Sequence, residues 1–259
     1  MNATRFWIGL LAAAPAIGWA SLALGPSGVG FPDPGTPAGA ALLTLRAERL
    51  WAGLVVGSAL AGAGTLFQAL LRNPLAEPYV LGVSGGSALG AAVVLLAGAA
   101  TVWSLPLAAF AAGAATLLLV VALAGRGTGG PSLYGLLLSG VIVSSVCSGL
   151  LMFLLSIASA EGAHQVLWWM LGNLQMPSRP LLVGCTVLIA VGLGACATLA
   201  PEWNALTLGR EAAHHVGVRT GAAVAAGLGL ATLLTASAVA TAGLIGFVGL
   251  VVPHVARSL

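Results

Sequence analysis

From Pro78 to Gly125 not one residue carries a charge. The run is longer than two bilayer crossings need, and similar charge-free apolar runs recur along the whole chain. An apolar run of more than about 18 residues is long enough to cross a bilayer. In lipid every backbone N–H and C=O must find a partner within the fold, which leaves helices or a closed barrel. These runs are continuous rather than alternating, so the expected class is all-α: a polytopic transmembrane helical bundle. Composition agrees. Of 259 residues, 59% are hydrophobic and 6% charged, against roughly 25% charged in a soluble domain.

The charges that remain are informative. All nine basic residues are Arg and Lys is absent, so a standard phosphate-binding loop with its lysine is excluded. The net charge of +3 comes without a basic cluster interleaved with aromatics, so nucleic acid is not an expected partner and membrane lipid is. Cys147, Cys185 and Cys196 lie in apolar runs without metal-ligand spacing and read as buried or lipid-facing residues. His214 and His215 are adjacent, so on a helix they point in different directions and read as surface residues. No catalytic or metal-binding constellation is expected, and the chain reads as a non-enzyme.

The runs predict spans near Phe6–Leu24, Leu50–Leu71, two within Pro78–Gly125 broken near "TVWSLP", Leu133–Ile157, Leu181–Ala200 and Ala222–Ala242. The tail "GLIGFVGLVVPHVARSL" begins another. The first, although it mimics a signal peptide, is expected to be an uncleaved helix. With the N-terminus in the cytoplasm, Arg5, Arg72, Arg126, Arg210, Arg219 and Arg257 fall inside, and Arg46, Arg49 and Arg179 outside. Gly53 and Gly57, four apart and followed by Gly62 and Gly64, suit close helix approach.

Two stretches interrupt the apolar pattern. In "RNPLAEPYVLGVSGGSALGA", Arg72–Ala91, the prolines end the second span and Asn73 is placed to hydrogen-bond exposed backbone. The small residues that follow, with Ser84 and Ser87, suit either helix packing or the wall of a wide pathway. In residues 202–219, Leu206, Leu208, Ala212, Ala213 and Val216 give a short apolar face at helical spacing, with Arg210 and Glu211 projecting elsewhere. That segment is too polar to span. Arg46 and Arg49, three apart, share one helix face and read as snorkelling anchors.

Three segments in order carry a resemblance: "RNPLAEPYVLGVSGGSALGA", "WNALTLGREAAHHVGV" and "GLIGFVGLVVPHVAR", with weaker support from "LRAERL" and "WWMLGNL". Together they resemble the permease subunits of ATP-driven bacterial importers for iron-siderophore chelates, haem and cobalamin, over essentially the whole chain as one permease domain, 1–259. Leu244 stands where the family usually has Pro, and Asn173 replaces a common Ser. Family members also continue past "PHVAR", so about eight spans of a probable ten are expected, with the C-terminus truncated.

The resemblance implies specific roles. Asn73 and Leu75 would sit at a cytoplasmic gate, with Ser84 and Ser87 along the translocation pathway. Leu206, Leu208, Gly209, Arg210, Glu211, Ala212 and Ala213, within residues 202–219, would seat in an ATPase groove. Arg46 and Arg49 would dock carboxylates of a soluble binding protein, a use of paired Arg forks. Trp168 and Trp169 read as an interfacial belt, with a gate at the outer mouth as the alternative. The implied partners are two ATP-binding-cassette (ABC) ATPase subunits, a second permease copy or paralogue, and a periplasmic or lipid-anchored binding protein. This chain binds no cofactor; ATP and Mg belong to the partner ATPase. The expected place is the bacterial cytoplasmic (inner) membrane.

The expected work is import of a metal chelate, an iron-siderophore or haem, by alternating access, with cobalamin as the alternative cargo. An ion-gradient-driven transporter is a rival class, but it needs ionisable groups in mid-membrane, whereas every acid from Asp33 to Glu211 is expected in a loop. An intramembrane hydrolase needs a nucleophile or metal constellation inside the spans, and none is legible.

Overall fold

A computed structural model describes residues 3–25, 28–125, 132–174 and 178–258. Arg126, counted above, lies outside the described residues. Among them the chain is helical apart from two paired two-residue strands. Helix α1 (Ala3–Ala23) leads into β1 (Leu24–Gly25), which pairs antiparallel with β2 (Gly28–Val29). Then come α2 (Pro37–Leu70), a 3₁₀ turn (Pro78–Leu81), α3 (Val83–Leu96), α4 (Ser104–Ala124), α5 (Leu133–Ile157) and α6 (Ala160–Met170). The chain closes with α7 (Arg179–Thr198), α8 (Ala200–Thr207), α9 (Arg210–His215), α10 (Thr220–Ala242) and α11 (Val248–Ser258).

Five helices, α2, α4, α5, α7 and α10, are long and apolar enough to cross a membrane. Helix α3 is apolar but shorter. The expected last span is present in the described residues only as the 11-residue α11, about 16 Å long at 1.5 Å per residue and too short to cross.

Helix α2 starts at Pro37, well before the expected Leu50. The Thr36 hydroxyl accepts the Gly39 N–H, and Pro37 at the first helical position has no N–H to leave unpaired. The charges at Arg46, Glu48 and Arg49 mark where the helix leaves the apolar layer, not where it ends. Glu48 is therefore helical rather than in a loop, as are Glu161, Glu202 and Glu211.

Helix α10 is the centre of the bundle. In its apolar window 67% of residues are buried, against 22% for α5. It packs on α2, α4 and α7, while α3, α4 and α5 pack on one another at its side. Helix α10 carries Thr232, Thr235, Ser237 and Thr241 inside. Each hydroxyl donates to the carbonyl four residues back: Leu228, Ala231, Leu233 and Ser237. These groups are buried without being orphaned.

The small-residue segment explains the α3–α4 contact. A Cβ on Gly86 would overlap the Thr116 hydroxyl and lie 2.8 Å from the Ala112 carbonyl oxygen, so only glycine lets these helices come so close. On α2 the expected glycines divide: close approach falls at the later pair, Gly62 and Gly64, and not at Gly53 and Gly57. Gly57 has no neighbour within 4 Å of where a Cβ would stand, and Gly53 meets only the Leu174 side chain at 3.6 Å. The tight point is Gly64, where a Cβ would run into the carbonyl of Gly249 on α11. A four-residue glycine spacing specifies an available groove; which groove is filled depends on where the next helix crosses.

Candidate functional site

The polar knot after α2 is a built turn. Arg72 has φ +47°, the left-handed position that often ends a helix, and the Asn73 N–H donates to the Gln68 carbonyl at 3.2 Å. The Asn73 side-chain oxygen accepts the Leu75 N–H at 2.9 Å, a local turn that Asn favours. Asn73 and Leu75 are both exposed.

The turn is fastened to the far end of the sequence. The Glu77 carboxylate accepts the Phe247 N–H at 2.5 Å. The Tyr79 hydroxyl donates to the Ile245 carbonyl at 3.0 Å and accepts the Ile245 N–H at 3.2 Å. Gln68 is buried on α2, and its amide nitrogen reaches the carbonyls of Ala76, Gly249 and Leu250 at 3.3–3.4 Å; its oxygen accepts from Arg257. Phe247 is held at φ +66°, an uncommon conformation for a bulky residue. Two of the three motif segments therefore form one hydrogen-bonded clasp. Sequence reading passed over Gln68, Glu77 and Tyr79. The one available signal was a lone amide inside an apolar span.

The serines separate. Ser87 is 0% exposed and sits against Gly113 of α4, so its hydroxyl faces a helix contact and no open surface. Ser84 is half-buried at the start of α3.

Residues 202–219 do not form one helix with one apolar face. Gly209, buried at φ +116°, breaks the segment into α8 and α9, because that backbone angle is outside helical space. The expected face also splits. Leu206 (3% exposed) and Ala213 (0%) point into the bundle, whereas Leu208 (76%) and Val216 (72%) point out, along with Arg210, Glu211 and Ala212. Trp203 anchors the elbow: its indole N–H donates to the Ala223 carbonyl of α10 at 3.1 Å.

At the other end of α2, Arg46 and Arg49 part company. The Arg46 guanidinium donates to the carbonyls of Leu22 (2.6 Å) and Gly30 (3.2 Å), so it ties the strand pair after α1 to α2. Arg49 is exposed. Glu48 between them lies 3.9 Å from Arg179 at the start of α7. Arg46, Arg49 and Arg179 thus share one end of the molecule. The opposite end holds Arg72, which reaches toward Gly209, and Arg210, which lines a cleft with it. From Arg46 to Leu70 helix α2 rises about 36 Å, more than the roughly 30 Å of bilayer hydrocarbon. The two arginine groups therefore straddle an apolar layer.

Trp168 is exposed and edge-on to His164, ring centres 5.9 Å apart. Trp169 turns inward to a cavity of about 250 Å³ shared with Thr101, Asn173 and Thr241. His214 and His215 are exposed, and no cluster of three or more His, Cys, Asp or Glu suited to a metal occurs among the described residues.

Residues 10–259 match the FecCD transport family. The chain belongs to that family. Relatives in it include the cobalamin import system permease protein BtuC of Halobacterium salinarum, 35% identical over 83% of this chain and 58% of that protein. The hemin transport system permease protein HmuU of Yersinia pestis is 34% identical over 83% of this chain and 65% of its own length. The iron(3+)-hydroxamate import system permease protein FhuB of Salmonella typhimurium is 38% identical over 84% of this chain but 32% of its own. The chain thus spans less than two thirds of each. A solved structure described as an inward-facing conformation of a metal-chelate type ABC transporter superposes with a TM-score of 0.89 at 28% identity, covering 99% of this chain and 82% of that one.

Proposed function

We infer that this FecCD chain is the membrane-spanning permease part of an ABC importer that carries a metal chelate, an iron-siderophore or haem. Relatives of this family are named for cobalamin, hemin and iron-hydroxamate import, and iron chelates are the reading taken here. The observation that carries the inference is the elbow of α8 and α9. It is too short and too polar to lie in lipid, it is fastened to the central helix through Trp203, Leu206 and Ala213, and it presents Leu208, Arg210, Glu211, Ala212 and Val216 outward. A lever of this kind lets a separate ATPase push on α10. ATP binding and hydrolysis there would bias two arrangements of the helices. The end bearing Arg72 and Arg210 then faces the cytoplasm, where the clasped turn at Asn73 and Leu75 borders the gate. A second permease copy would complete the path, and a binding protein would deliver cargo at the end bearing Arg49.

The test is a cysteine at Leu208, co-expressed with the ATPase subunits, together with uptake in vesicles. The expected result is a cross-link from position 208 to the ATPase and uptake that requires ATP and survives collapse of the ion gradient. Labelling of position 208 from the exterior, or uptake abolished by an uncoupler alone, would overturn the reading.

A further inference from the structure

On the bundle side of the elbow lies a cleft of about 260 Å³, between the ends of α2, α5 and α10. Its position follows from chain order. Leu70 ends α2, Leu133 begins α5, Val224 lies in the first turns of α10, and Leu206 and Arg210 flank Gly209. Every wall is thus a helix end or the elbow itself, at the level where the apolar layer gives way to charge. The lining divides by chemistry. Leu70, Leu133, Leu136, Leu206, Val224 and Leu228 form the apolar part, and Arg72 and Arg210 supply the charge. No acidic side chain is among the described lining residues. The left-handed turn at Arg72 brings its guanidinium 3.6 Å from where a Cβ on Gly209 would stand, beside the backbone of Arg210.

Two cations over an apolar slot, at the edge of a bilayer, complement one kind of molecule: a negatively charged head joined to a hydrocarbon chain. Basic pockets between helix ends are a recurrent form of lipid headgroup recognition, and the Arg fork suits phosphate oxygens. The volume is below the roughly 300–1,000 Å³ of sites that enclose a drug-sized ligand, which fits a headgroup and the first part of one chain and not a whole metal chelate. We propose that this cleft binds an anionic glycerophospholipid, its phosphate against Arg72 and Arg210 and the start of an acyl chain along Leu133, Leu136 and Leu228. The bound lipid would wedge the elbow against α5 and α10. The site shares Arg210 with the surface assigned to the ATPase, while its apolar wall lies on the bundle side of that surface, and the lipid-binding test needs no ATPase.

The decisive experiment measures lipid binding to the delipidated protein in mild detergent by native mass spectrometry, with dioleoyl-phosphatidylglycerol and dioleoyl-phosphatidylcholine as probes. Two basic side chains, each worth about a fivefold gain near an anionic group, predict that phosphatidylglycerol binds roughly thirtyfold more tightly. The preference should vanish in the Arg72→Gln/Arg210→Gln double variant and persist in the double Arg→Lys variant. Leu136→Trp, which fills the apolar part and leaves both arginines, should weaken phosphatidylglycerol as well, and inorganic phosphate should not compete. Equal binding of the two lipids by the unmodified protein overturns the proposal, and so does phosphatidylglycerol binding that Leu136→Trp leaves unchanged, or a preference that survives the double Gln variant. Competition by inorganic phosphate overturns it too, because the site would then be one for a soluble anion. Since the unmodified protein and Leu136→Trp each decide the matter, poor folding of the Gln variant does not protect the proposal.

Discussion

Adding a single methyl group at Gly64 tests the most specific claim about the clasp. A Cβ there would overlap the Gly249 carbonyl oxygen and stand 2.6 Å from its carbon. Ordinary contact begins near 3.4 Å, and the oxygen is nearer than the carbon, so α2 and α11 must separate by about 1.5 Å at that point. Neither side yields easily, because both contacts are backbone. Gly249 is itself boxed in: a Cβ on it would lie 2.7 Å from the Pro78 ring and 2.9 Å from the Leu60 carbonyl. Overpacking of this kind costs about 1–3 kcal/mol. The Gln68 amide already reaches Gly249 and Leu250 at 3.4 Å, so the same separation breaks those bonds, at about 0.5–1.5 kcal/mol each. Gly64→Ala should therefore lose about 3 kcal/mol. For a chain of this size that is a fall of roughly 6–12 °C in unfolding temperature, measured by intrinsic fluorescence in detergent micelles. Gly57→Ala is the internal control. It lies on the same helix with open space around it, and replacing a helical glycine by alanine gains up to about 1 kcal/mol. Unfolding of Gly64→Ala within about 1 °C of the parent, or an equal fall for both variants, would refute the close approach of α2 and α11.

Glu77→Ala should cost about 0.5–1.5 kcal/mol, since the exposed Phe247 N–H exchanges its carboxylate partner for water, and Glu77→Gln, which keeps an acceptor, should cost less; thermal unfolding of the two ranks them. Arg46→Ala should lower stability and admit protease to the segment after α1, because two carbonyls lose their donor. Arg49→Ala should leave unfolding unchanged and weaken capture of a loaded binding protein, read by pull-down.

How much of this was written along the chain depends on which forces are local. The apolar runs announced α2, α4, α5, α7 and α10, and "TVWSLP" marked the break between α3 and α4, because span length and proline act within a few residues. Boundaries were less legible. Helix α2 begins at Pro37 through a cap at Thr36, and charge at Arg46 hides that helix from a hydropathy reading. Residues 202–219 were recognisable as too polar to span, yet their division into α8 and α9 hangs on one glycine angle. Leu206 and Leu208 face opposite environments for a simpler reason: two residues apart on α8 and its cap, they stand about 200° apart around the helix axis.

The sequence by itself determined that the chain lives in a bilayer, which family it belongs to, and that its arginines fall into two groups. These follow from transfer free energies and motifs, which need no partner across the fold. Only the tertiary structure decided that Glu77, Tyr79 and Gln68 hold α11, that Arg46 is occupied by the strand pair while Arg49 is exposed, and that Gly64, not Gly57, is where helices touch. Those contacts join residues more than a hundred positions apart, or turn on where one helix crosses another, and a periodicity along one helix carries no information about which neighbour will face it.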